Sequence, residues 1–173
     1  RRLVQAELSK REVRFAADLF TTSLWTGGTA NDPTAASLSG AWDDPASPPI
    51  EDIHDQVNSI LISTGYVANT LVVNNLGWFS LKNHPDVVDR VKHTSGEPVT
   101  EDVVARLLGL DRVLVCRAVR NAAQEGLAVS MSAIAGNNAL LCYVAPAPGM
   151  WQPSGAYTFV WTGYPGSADG RRT

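Results

Sequence analysis

The chain carries a histidine, a proline and an aspartate in direct succession, His84, Pro85 and Asp86, within the stretch LKNHPDVVDRVK. They follow TLVVNN, a β-branched run that reads as a strand, and polar residues at a strand exit are a natural place for acid–base chemistry. An imidazole beside a carboxylate can move a proton, so His84 with Asp86 defines a small-hydrolase reading. Two features weigh against it. At a helix start the two side chains point to different sides, which leaves Asp86 poorly placed to orient His84. No nucleophile has a motif around it either: there is no G-x-S-x-G elbow, and neither Cys116 nor Cys142 sits in a reactive context. The plainer reading is a helix start. Asn83 or His84 caps the helix, Pro85 fills its first turn, Asp86 meets the positive end of the dipole, and Val87, Val88 and Val91 form the inward side. On that reading, losing the His84 side chain costs about 1 kcal/mol of capping at most.

Other groups suited to chemistry are no better assembled. Two cysteines and three scattered histidines make no zinc pattern, and no G-x-G-x-x-G or G-x-x-x-x-G-K-S loop is present to cradle phosphate. Asp43 and Asp44 with Glu51 and Asp52 could attract a cation, but loop acidity and helix-start preference explain all four. No cofactor and no metal site is therefore expected. Cys116 (LVCRAV) and Cys142 (LLCYVA) lie in apolar runs and read as buried free thiols, bridged only if their strands are neighbours. The five tryptophans read as core or interface residues, with Trp42, in a small-residue loop, expected at a subunit contact.

The elements that must hold these residues follow from periodicity. The segment 2–20 has helical spacing of Leu3, Val4, Leu8, Phe15, Leu19 and Phe20, without Gly or Pro. Thr21 to Ser47 is small, polar and Gly/Pro-containing, a long loop or extended arm. A helix follows, capped by Ser47, opened by Pro48 and Pro49, striped by Ile50, Ile53, Val57, Ile60 and Leu61, and ended by Gly65. Thr70–Val73 is a short strand and LGWFSLKN a helical turn. Thr100 caps a helix over Glu101–Leu108 that Gly109 stops. Asp111–Val119 is a strand. The segment NAAQEGLAVSMSAIAGNN reads as a loop or a loose helix. Asn138–Val144 and the strictly alternating Gly155–Thr162 are strands, and the polar tail GYPGSADGRRT is expected to fray. Helices first, then mixed elements, then strands make an α+β pattern.

Composition narrows the class of function. With 173 residues, 45% hydrophobic and 18% charged, the chain has the makings of a packed core. A net charge of −3 and scattered basic residues give no track for specific nucleic-acid recognition. No segment has the length of a membrane span and no signal peptide is seen. The chain begins with Arg1 rather than Met, so a processed product, a fragment or the ordered part of something longer is expected.

The letters His-Pro-Asp are also the contact motif of J-domain co-chaperones, but that motif follows a basic amphipathic helix. Here the preceding TLVVNNLGWFSLKN is strand-like and carries only Lys82 as a basic residue. A different resemblance runs through most of the chain. REVRFAADLFTT, WDDPASPPIEDI with its W-x-D-x-x-S-x-P-I-x-D-I pattern, NTLVVNNLGWFSLKNHPDVVDRVK, VTEDVVARLLGLDRVLVCRAVRNAAQEG, and finally NNALLCYVAPAPG with YTFVWTG occur in series. In that order they resemble the major capsid proteins of tailed bacteriophages and prophages, the Hong-Kong-ninety-seven-type shell fold. The resemblance implies a peripheral domain from residues 1–65 and 145–173, built on the end of a spine helix, with an axial domain, 66–144, inserted in it. It implies a structural subunit without turnover that self-assembles into pentamers and hexamers and closes an icosahedral shell around packaged DNA. Scaffold or portal proteins would be its other partners, with no membrane. The place implied is the virion capsid, and the bacterial host cytoplasm during assembly. The family's N-terminal arm and extended loop have no counterpart here, as expected of a truncated piece or a decayed prophage remnant. A bacterial nanocompartment (encapsulin-like) shell subunit is the alternative within the same fold, and the His84/Asp86 hydrolase the alternative outside it.

Overall fold

The computed structural model describes residues 2–20, 41–94, 98–147, 149, 151–157, 167–168 and 171–172. Its centre is strand β1 (Thr70–Asn74), where the β-branched Thr70, Val72 and Val73 favour extended backbone. β1 pairs in parallel with β2 (Arg112–Cys116) and antiparallel with β5 (Ala139–Cys142), giving a three-stranded sheet of order β2-β1-β5. The parallel pairing requires a crossover, which is supplied by α3 (Asn75–Asn83), α4 (Pro85–Thr94) and α5 (Glu101–Leu107). The α+β class expected from the sequence is the class observed.

One face of the sheet is the core. Leu71 lies between Val113 and Leu141 and Val73 beside Val115, so one row of side chains meets the helices. Against that row pack Trp78 and Leu81 of α3, Val87 and Val91 of α4, Val104 and Ala105 of α5, and Ile50 and Ile53 of α2 (Pro49–Thr64). Burying a side chain such as Leu71 or Leu81 contributes roughly 1.5–3 kcal/mol. Val87 and Val91 face inward at i, i+4. Val88, expected on the same side, is exposed because one residue is 100° of helix rotation. Only the first turn of α2 is deeply buried, and by Leu61 the expected stripe has left the core. Trp42 packs half-buried against the core of its own chain.

The caps refine the expected boundaries. Gly65 ends α2 in the left-handed region at φ 77°, as its sequence position suggested. Thr100 Oγ1 accepts from the Val103 amide at 3.4 Å and caps α5. Ser47 does not cap α2. Pro48 holds that position, and the Ser47 hydroxyl donates instead to the Asp44 carbonyl at 2.8 Å. The expected strand over Asp111–Val119 breaks after Cys116, and its last residue opens β3 (Val119–Asn121). The segment expected to be loop or loose helix returns as β4 (Met131–Ala133), antiparallel to β3.

Helix α1 (Arg2–Leu19) has the extent the sequence suggested; most of its side chains from Gln5 onward are exposed, and Phe20 at its end is buried. The Asn138 side-chain amide donates to the Phe20 carbonyl and ties the end of α1 to the start of β5. In the tail, Ser167–Ala168 (β6) pairs with Arg171–Arg172 (β7), where fraying was expected. Of the expected strand Gly155–Thr162, residues 155–157 are in no strand and 158–162 lie outside the described residues, as do residues 21–40 of the expected loop.

Candidate functional site

His84 sits between α3 and α4, almost fully buried at 3% exposure. Its Nδ1 accepts from the Asp86 backbone amide at 3.2 Å, and its carbonyl accepts from the Val88 amide at 3.0 Å. Those two bonds make His84 the N-cap of α4, with Pro85 and Asp86 as the first helical residues. Because Nδ1 is an acceptor, the proton of the neutral ring lies on Nε2. Nε2 donates to the Asp44 carbonyl at 3.0 Å and lies 3.4 Å from Ser47 Oγ. Both ring nitrogens are thus committed to structure, and none is left to accept a substrate proton.

The acidic neighbours are committed in the same way. Asp86 touches His84 through its backbone, while its Oδ1 accepts from Arg90 Nε at 3.1 Å, an i, i+4 pair along α4. Arg90 also reaches Glu51 Oε1 at 2.5 Å and so clips α4 to the start of α2. The Glu51 carboxyl is held below its ordinary value by backbone N–H donation at the helix start, then by Arg90, while Arg90 is pushed up by the bond it donates to Glu51. Asp44 Oδ1 accepts from the Ala46 amide at 3.0 Å and shapes the tight turn that carries Ser47. The four carboxylates weighed as a cation site do not converge, and among the described residues no group of His, Cys, Asp and Glu could hold a metal ion.

Two asparagines that sequence reasoning passed over hold the ends of β1. Asn69 donates through Nδ2 to Asp111 Oδ2 at 3.0 Å and to the Val144 carbonyl at 2.9 Å, and its Oδ1 accepts from the Val144 amide at 2.8 Å. It joins the beginnings of β1 and β2 to the end of β5. Asn74, fully buried, caps α3 by accepting from the Gly77 amide at 2.5 Å and donates to the Gly136 carbonyl and to Asn137 Oδ1. The available signal was the pattern N-T-L-V-V-N, an asparagine at each end of an apolar run.

An open depression of about 320 Å³ is lined by Trp78, Val99, Thr100, Glu101 and Asp102. Its Thr100 hydroxyl is the α5 cap, and Glu101 Oε1 accepts from Arg117 at 2.8 Å. Cys116 and Cys142 are free and half-buried. They pair with Asn74 and Thr70, at opposite ends of β1 and on opposite sides of it, so no bridge can join them. Among the described residues no helix is long and apolar enough to cross a membrane.

No protein-family model and no curated protein matches the chain. A solved structure does: a phage-related protein from Bordetella bronchiseptica RB50, with a TM-score of 0.62 and 29% sequence identity over 71% of this chain. The chain spans 40% of the length of that protein. In fold and in sequence, then, this chain is similar over most of its length to a phage-related protein.

Proposed function

We propose that the chain is part of a phage or prophage structural protein, a major-capsid-like shell subunit that works by assembly with copies of itself and carries out no turnover. The observation that carries this reading is the similarity to a phage-related protein over 71% of the chain, which agrees with the phage resemblance of its segments. The use made of the polar residues supports it. His84, Asn69 and Asn74 spend their side-chain hydrogen bonds on capping and joining elements, which suits a part selected for rigidity. On this reading residues 66–144 form an axial domain inserted in a peripheral one made from 1–65 and 145–173. Scaffold and portal proteins are its further partners, and the virion capsid is its place.

The test is electron microscopy and light scattering of the full-length protein. Closed shells of uniform diameter are expected. A protein that stays monomeric across concentration, salt and pH overturns the reading.

A further inference from the structure

The carbonyl oxygen of Asp44 collects three donors. The Ser47 amide donates to it at 3.0 Å, the Ser47 hydroxyl at 2.8 Å and His84 Nε2 at 3.0 Å. Ser47 and His84 are both buried, which strengthens their pull on the oxygen. A peptide carbonyl has two lone pairs, so three donors exceed what it can use as an amide. The alkoxide oxygen of a tetrahedral intermediate has three lone pairs and a full charge. Donors this close to a developing oxyanion stabilise it more than they stabilise the ground state.

The bond beyond this carbonyl joins Asp44 to Pro45. An aspartyl–prolyl linkage is the peptide bond most open to attack from within. The carboxylate reaches its own carbonyl carbon by closing a succinic-anhydride ring, and the proline nitrogen leaves as a basic secondary amine. Asp44 Oδ1 accepts from the Ala46 amide at 3.0 Å, which folds the carboxylate back along the Asp44–Pro45 peptide. Nucleophile, labile bond and oxyanion donors therefore meet in one turn.

We infer that this turn is a self-cleavage site. A carboxylate oxygen of Asp44 attacks the Asp44 carbonyl carbon, and the carbonyl π pair moves onto the oxygen held by Ser47 and His84. When the carbonyl re-forms, the bond to nitrogen breaks and its electron pair stays on Pro45. That nitrogen takes a proton from water at the exposed Pro45. A water molecule then opens the cyclic anhydride and returns a proton to solvent. The net change is one water added across one peptide bond, leaving 1–44 with a free Asp44 carboxylate and 45–173 with a prolyl amine. It happens once per chain, without turnover, and it does not depend on the shell reading.

The test is intact-mass spectrometry of the full chain incubated over days, folded or in urea at the same pH. The fragments 1–44 and 45–173 are expected to form about tenfold faster or more in the folded protein, because only folding brings His84 to the carbonyl. Ser47→Ala, with its fold checked by circular dichroism, should slow cleavage of the folded chain by about tenfold and leave the rate in urea unchanged. Asp44→Ala removes the nucleophile and should abolish both fragments. Cleavage no faster in folded protein than in urea, an unaltered rate in folded Ser47→Ala, or the same fragment pair from Asp44→Ala overturns the inference.

Discussion

The Nε2 of His84 lies 3.0 Å from the carbonyl oxygen of Asp44, joining residues separated by 40 positions. The bond connects two motifs that look independent in sequence, the W-D-D-P-A-S turn before α2 and the H-P-D start of α4. Arg90 repeats the connection at the surface, from α4 to Glu51 of α2. One helix start is therefore fastened to the other by a part-buried bond and an exposed one. The part-buried bond contributes more, because water screens the exposed pair.

Replacing His84 by alanine removes the Asp86 amide cap and leaves a cavity where the ring was. Ser47 keeps the Asp44 carbonyl bonded, so the loss is the cap and the packing, together about 2–4 kcal/mol. That exceeds the capping cost alone, which is all that sequence spacing suggested. His84→Asn keeps an N-cap acceptor but is too short to fill the site, and should recover about 1 kcal/mol. Urea denaturation of the three proteins checks both values. Equal stability of wild type and His84→Ala would falsify the structural role.

Gly77→Ala should destabilise, against the usual rule that alanine favours a helix over glycine by about 1 kcal/mol. A Cβ at position 77 would lie 2.7 Å from Asn74 Oδ1 and 3.0 Å from Val73 Cγ2. Asn74 is fully buried and cannot swing aside without abandoning Gly136 and Asn137. The displaced bonds cost about 1–3 kcal/mol, and a lowered thermal midpoint is the expected readout. A raised midpoint would sink the argument.

The helices and the central strand were legible because their signals are local. Ile50 and Ile53 repeat at helical spacing, Thr100 sits three residues before the amide it caps, and the run T-L-V-V has no helical period. What was hidden depended on distance along the chain. Asn69 finds Val144 at a separation of 75 residues and Asn74 finds Gly136 at 62, and no local pattern encodes either pairing. The β3–β4 hairpin was missed for a different reason. Its Ala, Ser and Gly content gives little hydrophobic period, so only the partner strand reveals it as extended. Ser47 was misread because serine before two prolines fits a cap, while its hydroxyl is already used inside the Asp44 turn.

Glu51 sets a small acid limb on stability. Its folded pKa is depressed, so its contribution is fully present above the ordinary carboxylate value and is lost as pH falls through the folded value. Arg90 stays charged throughout this range. Because both side chains are largely exposed, the effect is worth a few tenths of a kcal/mol and should shrink with salt. Comparing Glu51→Gln with wild type across the acid range should show the two stability curves converging at low pH. Curves that stay parallel throughout count against the linkage.

The two thiols should remain unbridged within one chain. They face opposite ends of β1, across two strand spacings and four residues of rise, which puts them on the order of 15 Å apart. Burial pushes the Cys142 thiol up, which lowers its thiolate fraction and slows its alkylation relative to an unfolded chain. Iodoacetamide labelling followed by mass spectrometry should show Cys142 modified slowly in native protein and rapidly in urea. After mild oxidation and unfolding, both cysteines should still take label. An intramolecular Cys116–Cys142 bridge found without prior unfolding would contradict the strand order, since β1 stands between the strands that carry them.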